Sequence, residues 1–202
     1  MSQADQLTSD LDRRLEAMVL ASPRLMRVLQ IARDLDLPDW RLVSGAVYQT
    51  VWNALTGREP DYGLKDFDLC YFDASDISYE AEDVVIKLVA AAFPPELREL
   101  VEVRNQARVH LWFEAHFGEP YSALSRTDEM LERFVSPAYA VGVRLTADGR
   151  LDIAAPFGLD DVFAMRLRPN PNRPHANGWA KITAGVAARW PELTVEAPVN
   201  PS

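Results

Sequence analysis

The sequence predicts an α+β (mixed α/β) fold, with helices packed on a mixed sheet and extra helices at both ends of the chain. Three observations carry that expectation. Helical periodicity fills residues 11–35 ahead of any strand; a short strand, a tight turn and a helix follow one another within residues 40–55; and an aromatic and apolar strand at 66–72 is followed by a long helix at 78–92.

Taken in order, Leu11 to Leu20 and Leu25 to Leu35 place apolar residues at helical spacing, and Ser22-Pro23 between them supplies a cap followed by proline at the first helical position. Trp40 to Val43 reads as a strand running through Ser44-Gly45 into a helix over Ala46 to Leu55, which Gly57 closes. Beyond the turn-rich stretch 58–63, Asp66 to Phe72 is a strand, and Ser78 caps a helix that runs to Ala92 and stops at Pro94-Pro95. Val101 to Arg104 and Arg108 to Phe113 read as two strands, or as one strand bent at Asn105 and Gln106. A small helix is expected over Asp128 to Phe134, and a hairpin of Ala138 to Leu145 with Leu151 to Ile153 across Asp148-Gly149. Phe163 to Leu167 is expected to be helical, residues 168–178 a loop rich in proline and asparagine, and Ala180 to Trp190 a last helix.

A chain of 202 residues is expected to form a single domain, its core spanning about residues 20–190 with flexible tails at 1–10 and 192–202. Cys70 is the lone cysteine and lies in an apolar run, which leaves no disulfide framework or thiol metal cluster and points to the cytoplasm. The polar, acidic first ten residues and the lack of a long apolar stretch argue against secretion and against a membrane. A formal net charge of −9 argues against broad binding to a nucleic-acid backbone. Composition leaves the oligomeric state open.

The residues that can carry chemistry begin with Asp66-Phe67-Asp68. Strand alternation puts the two aspartates on one side and Phe67, Leu69 and Tyr71 on the other. Carboxylates that close repel, and a hard divalent cation with a preference for oxygen, Mg²⁺ first, relieves the repulsion. Two solvated acids at a strand's start make the same pattern, so the pair gains meaning from what lies upstream. There, Ser44-Gly45 joins a strand to a helix, where free amides and the helix dipole can hold a phosphate; a plain glycine turn reads the same way.

Val43-Ser44-Gly45-Ala46, a helix, and then Asp66-Phe67-Asp68-Leu69 resemble the signature of the DNA polymerase beta-like nucleotidyltransferase superfamily. More closely, the chain is similar to bacterial nucleotidyltransferase-like families of unknown function, through residues 45–57, 66–73, 105–112 and 155–161. The resemblance implies a nucleotidyltransferase-like mixed sheet with helices on one side. It also implies a turn that holds an NTP as substrate, and two Mg²⁺ ions bound by two acids on one strand and a third on its neighbour. Carried onto this chain, Asp66 and Asp68 become catalytic metal ligands, Ser44, Gly45 and Ala46 the nucleotide-binding turn, and Glu102, the acid within Val101-Glu102-Val103, the third ligand. Two features depart from the pattern: the superfamily turn reads glycine followed by glycine or serine, whereas Gly45 precedes Ala46, and the interval from Gly45 to Asp66 is longer than in minimal enzymes.

Asn105, Gln106 and Arg108 follow the third acid, and Arg108 is a candidate nucleotide contact, although bend and surface roles suit all three. His110 reads as a structural histidine, and His116 and His175 lack metal-ligand spacing. Asp160 and Asp161 open a helix where acids oppose the dipole. The functional expectation is a metal-dependent nucleotidyltransferase moving a nucleoside monophosphate from an NTP to a hydroxyl of a small-molecule or protein acceptor. The alternatives are a catalytically decayed nucleotide-binding or regulatory domain of the same fold, and a hydrolase or phosphotransferase using the same metal pair.

Overall fold

The computed structural model, which describes residues 3–173 and 178–198, begins with two helices, α1 (Gln3–Leu20) and α2 (Pro23–Leu35). Helix α1 starts well before the apolar periodicity that announces it at Leu11, and so takes in most of the stretch expected as an N-terminal tail. Strand β1 (Arg41–Val43) then passes through Ser44 into α3 (Gly45–Thr56), and β2 (Phe67–Tyr71) leads to α4 (Tyr79–Ala92). The Ser78 hydroxyl accepts from the Ala81 amide at 3.2 Å, capping α4 as expected. One turn, α5 (Pro95–Arg98), precedes β3 (Val101–Asn105), and β4 (Gly142–Leu145) with β5 (Leu151–Ala154) forms the expected hairpin.

These strands make a five-stranded mixed sheet in the order β3-β2-β1-β4-β5, with β2 and β3 parallel and the other neighbours antiparallel. Alternation sorts its faces. Leu42, Phe67, Leu69, Tyr71, Val103 and Val143 are buried in the main core, against which α2 and α4 pack. The opposite face carries Arg41, Val43, Asp68, Cys70, Glu102 and Arg104, following the pairings Arg41↔Cys70↔Arg104 and Val43↔Asp68↔Glu102.

Two sequence expectations fail. Residues 108–113 do not continue as a strand. The Asn105 side chain takes over at the end of β3, its Oδ1 accepting from the amides of Asp73 and Ala107 and its Nδ2 donating to the Asp73 carbonyl at 2.8 Å. An amide that bonds the backbone this way ends the ladder, and the chain turns into a 3-10 segment, Val109–Leu111, and a short helix, α6 (Phe113–Phe117). The second failure is at 163–167. Helix α7 (Asp160–Phe163) stops after one turn, Met165 takes a φ of 50°, and β6 (Arg166–Leu167) pairs in parallel with β7 (Thr194–Val195). Asp161, buried, accepts from Arg166 and from Arg168 at 2.7 Å and so holds both ends of this turn. Strand β7 also lies in the segment expected as a C-terminal tail, while part of the 168–178 loop, and His175 with it, lies outside the described residues.

The C-terminal part closes over α3. Trp190, fully buried behind α8 (Trp179–Ala187), donates from Nε1 to the Asn53 Oδ1 at 3.0 Å. The Asn53 Nδ2 donates in turn to the carbonyls of Pro60 and Tyr62, so one buried amide ties α3, the 58–63 turn and the C-terminal segment together. Replacing it leaves an indole donor and two carbonyls without partners. Asn53→Ala should therefore lower unfolding free energy by about 2–4 kcal/mol in urea denaturation; an unchanged midpoint would show that the amide is not what joins these segments.

Candidate functional site

The site follows from strand register. Val43, Asp68 and Glu102 are direct partners across β1, β2 and β3, and strands about 4.8 Å apart bring the two acids side by side on one face. Asp66 stands just before β2 and is exposed, as is Glu102, whereas Asp68 is half-buried. Burial first, then the Asp66 carboxylate beside it, pushes the Asp68 carboxyl up to about 6. The Ser44 hydroxyl and the Arg104 guanidinium beside it pull the other way. Arg104 also lies 3.6 Å from Glu102.

Ser44 explains the odd wording of the turn. It adopts φ 62°, ψ −136°, a conformation natural to glycine, and it immediately precedes α3. Ser44 and Gly45 thus both belong to the turn that joins β1 to α3. Ser44 makes no side-chain cap to α3, so the first-turn amides at Gly45 and Ala46 are left without a capping side chain. A Cβ on Gly45 would sit 2.8 Å from the Gln49 Nε2, and the buried Gln49 Oε1 has no partner.

Three cavities meet here. One of about 330 Å³ is lined by Ser44, Asp68, Arg104 and a run of aromatic rings. A second, of about 800 Å³, holds Asp68, Glu102, Arg104, Arg108 and Tyr79. A third, of about 450 Å³, runs from Ser44 past Tyr48 and Tyr139 to Arg173. Asp68 lines the first two and Ser44 the first and third.

The structure therefore brings Ser44, Gly45, Ala46, Asp66, Asp68 and Glu102 to one place. Arg108 lies off to the Glu102 side, its guanidinium bonded to the buried carboxylate of Glu82 and placed over the Tyr79 ring at 5.6 Å. The His110 Nδ1 is buried without a partner. Sequence reasoning missed Arg104, Arg173 and the rings at 112, 113, 117 and 121. The spacing of those rings was the available signal, obscured by reading 108–113 as a strand. Among the described residues no three His, Cys, Asp or Glu side chains form a ready-made metal cage. The donor set still suits Mg²⁺: hard carboxylate oxygens on one face, with the Asp68 carboxyl raised by burial first and then by the Asp66 carboxylate.

Sheet order, the strand–turn–helix unit and acids on the adjoining strand define a domain built for transferring nucleotidyl groups. A family model described as nucleotidyltransferase matches residues 30–195, and the chain belongs to that family. An NMR structure described as a CCA-adding enzyme head domain is similar, with a TM-score of 0.72 and 25% identity over 91% of this chain and 95% of that one. No curated protein sequence matches the chain. Fold and family together support nucleotidyl transfer as the general function. Among the described residues no helix is long and apolar enough to cross a membrane.

The Ser44 geometry can be checked directly. Ser44→Gly and Ser44→Ala both remove the hydroxyl, but only glycine relieves the strained backbone, so the glycine variant should be the more stable by about 1–3 kcal/mol in urea denaturation. Equal stabilities, or a more stable alanine variant, would show that position 44 is not held in this conformation.

Proposed function

We propose that the chain is a Mg²⁺-dependent nucleotidyltransferase that moves a nucleoside monophosphate from an NTP to a hydroxyl of a small-molecule or protein acceptor. The observation that carries this reading is the alignment of the Ser44 turn, Asp68 and Glu102 across three paired strands, with Asp66 at the edge. In this reading the amides of Gly45 and Ala46 receive phosphate oxygens at the N-terminus of α3, favoured by the helix dipole. Asp66, Asp68 and Glu102 would hold the metal, and the Ser44 hydroxyl beside Asp68 would help keep that carboxylate ionised. The chemistry that bound Mg²⁺ supplies is positive charge opposite the α-phosphate and the departing pyrophosphate.

The acceptor oxygen forms its bond to the α-phosphorus as the bond from that phosphorus to pyrophosphate breaks, and the hydroxyl proton passes to water. Glu102 faces the large polar cavity and Ser44 does not line it, so an acceptor reaches Asp68 from the Glu102 side and the nucleotide from the Ser44 side. The net charge of −9 favours a small-molecule or protein acceptor over a long polynucleotide.

The test is calorimetric titration of each NTP with Mg²⁺ into wild type and the Asp66→Asn/Asp68→Asn variant, followed by pyrophosphate detection. Wild type should bind only with Mg²⁺ present, and the variant should lose that binding. With an acceptor supplied, the variant's pyrophosphate release should fall by about 10² or more, the scale of losing one preorganised electrostatic group. Binding by wild type without release in the presence of diverse hydroxyl acceptors would favour a regulatory nucleotide-binding domain, and binding unaffected by the substitutions would remove these acids from the site.

A further inference from the structure

The cavity of about 330 Å³ beside Asp68 is walled by rings. Phe113 lies 4.5 Å from Tyr121 and 4.6 Å from Phe117 between ring centroids, and Trp112 packs 6.3 Å from Phe117. Phe134 and Met130 complete the apolar lining. Arg173 and Arg133 also line the cavity, their guanidinium groups lying over Phe113 at 6.0 Å and over Tyr121 at 5.7 Å. Nothing in the nucleotidyl-transfer reading so far uses this wall, yet Ser44 and Asp68 form part of the same cavity.

From this placement we infer that the ring-lined cavity takes the nucleobase of the substrate nucleotide, Phe113 and Phe117 supplying the faces on which it stacks. The inference rests on the nucleotidyltransferase reading above and adds to it the seat of the base. Size separates base from phosphates: about 330 Å³ is at the small end of ligand cavities, enough for a ring system but not for a whole nucleoside triphosphate. The charged part must then lie beyond it, and Ser44 and Asp68, which line this cavity, each also line a neighbouring one. Sidedness separates base from acceptor, because Ser44 lines this cavity and Glu102 lines the polar one instead. Aromatic faces bind every base through its π surface, each stack contributing about 1–3 kcal/mol, while guanidinium groups nearby favour an electron-rich ring.

The test compares binding of the four ribonucleoside triphosphates with binding of inorganic tripolyphosphate, all with Mg²⁺, in wild type, Phe113→Leu and Phe117→Leu. Leucine keeps the wall apolar and removes the ring face, and Phe117 is about half exposed, so the second variant does not disturb the core. At least one triphosphate should bind wild type about tenfold or more tightly than tripolyphosphate, the equivalent of one stacked ring. Both variants should lose that advantage and bind tripolyphosphate as wild type does. Triphosphates no tighter than tripolyphosphate in wild type, or an advantage undiminished in both variants, would overturn the inference and leave the phosphate site standing. Failure of wild type to bind either probe would overturn the underlying nucleotidyltransferase reading, and the base site with it.

Discussion

The register of β1 against β2, and of β2 against β3, is the constraint on which the site depends. Because side chains alternate along a strand, a slip of one residue in β2 would carry Asp68 into the layer now filled by Leu42, Leu69 and Val103, and would bring Phe67 and Leu69 out to solvent. An unpaired carboxylate buried there is far costlier than any contact it might gain. The apolar face therefore locks the polar one. Hydrogen bonds beyond both ends of the ladder extend that lock, with the Phe67 amide donating to Leu100 and the Gln106 amide donating to Tyr71, each at 2.7 Å. Ser44, Asp68 and Glu102 meet because Leu42, Leu69 and Val103 must.

One step back along the same face, Arg41 is buried between Asp128 at 2.7 Å and Asp152 at 3.0 Å. Burial alone would lower its pKa, but the two carboxylates outweigh burial and raise it. A guanidinium this enclosed is tolerable only when its donors are matched, and a pair of that kind does more to fix position than to add stability. What it positions is the 3-10 segment Thr127–Arg133, which lays Met130 and Leu131 over Val43 and Cys70 in a small second apolar cluster. Without that cover the face would be open to solvent, and the ring-lined cavity would lack the wall to which Met130 and Phe134 contribute.

Much of this was legible in the sequence, and the exceptions have a common cause. Phe67, Leu69 and Tyr71 alternating with Asp66 and Asp68 announced both the strand and its two faces, and Val101-Glu102-Val103 announced a partner strand with an acid on the same side. The two misread segments are both places where a single side chain overrides local pattern. Val109-His110-Leu111 alternates like a strand, but Asn105 has already captured the backbone. Residues 163–167 carry helical spacing, but Asp161 and the long-range pairing with Thr194 and Val195 draw the chain out of the helix. The backbone shape of Ser44 was not legible for a related reason, since composition cannot show that a serine has taken a glycine's backbone conformation.

The local costs of the structure gather where the proposed chemistry lies. Ser44 holds a backbone shape that glycine would adopt freely, Asp68 carries a charge its surroundings resist, and Gln49 buries an oxygen without a partner beside Gly45. Each is unfavourable alone, and strain, surplus charge and orphaned polar atoms are what a ligand of opposite character relieves. They lie along one short path, from the N-terminus of α3 across the ends of β1 and β2, and the fully buried Trp52, Trp190, Phe67 and Leu69 nearby supply apolar burial to offset them. A sheet whose inner face is this well packed can hold an outer face short of its own preferred state. That imbalance is the physical ground on which the proposed phosphate and cation sites rest.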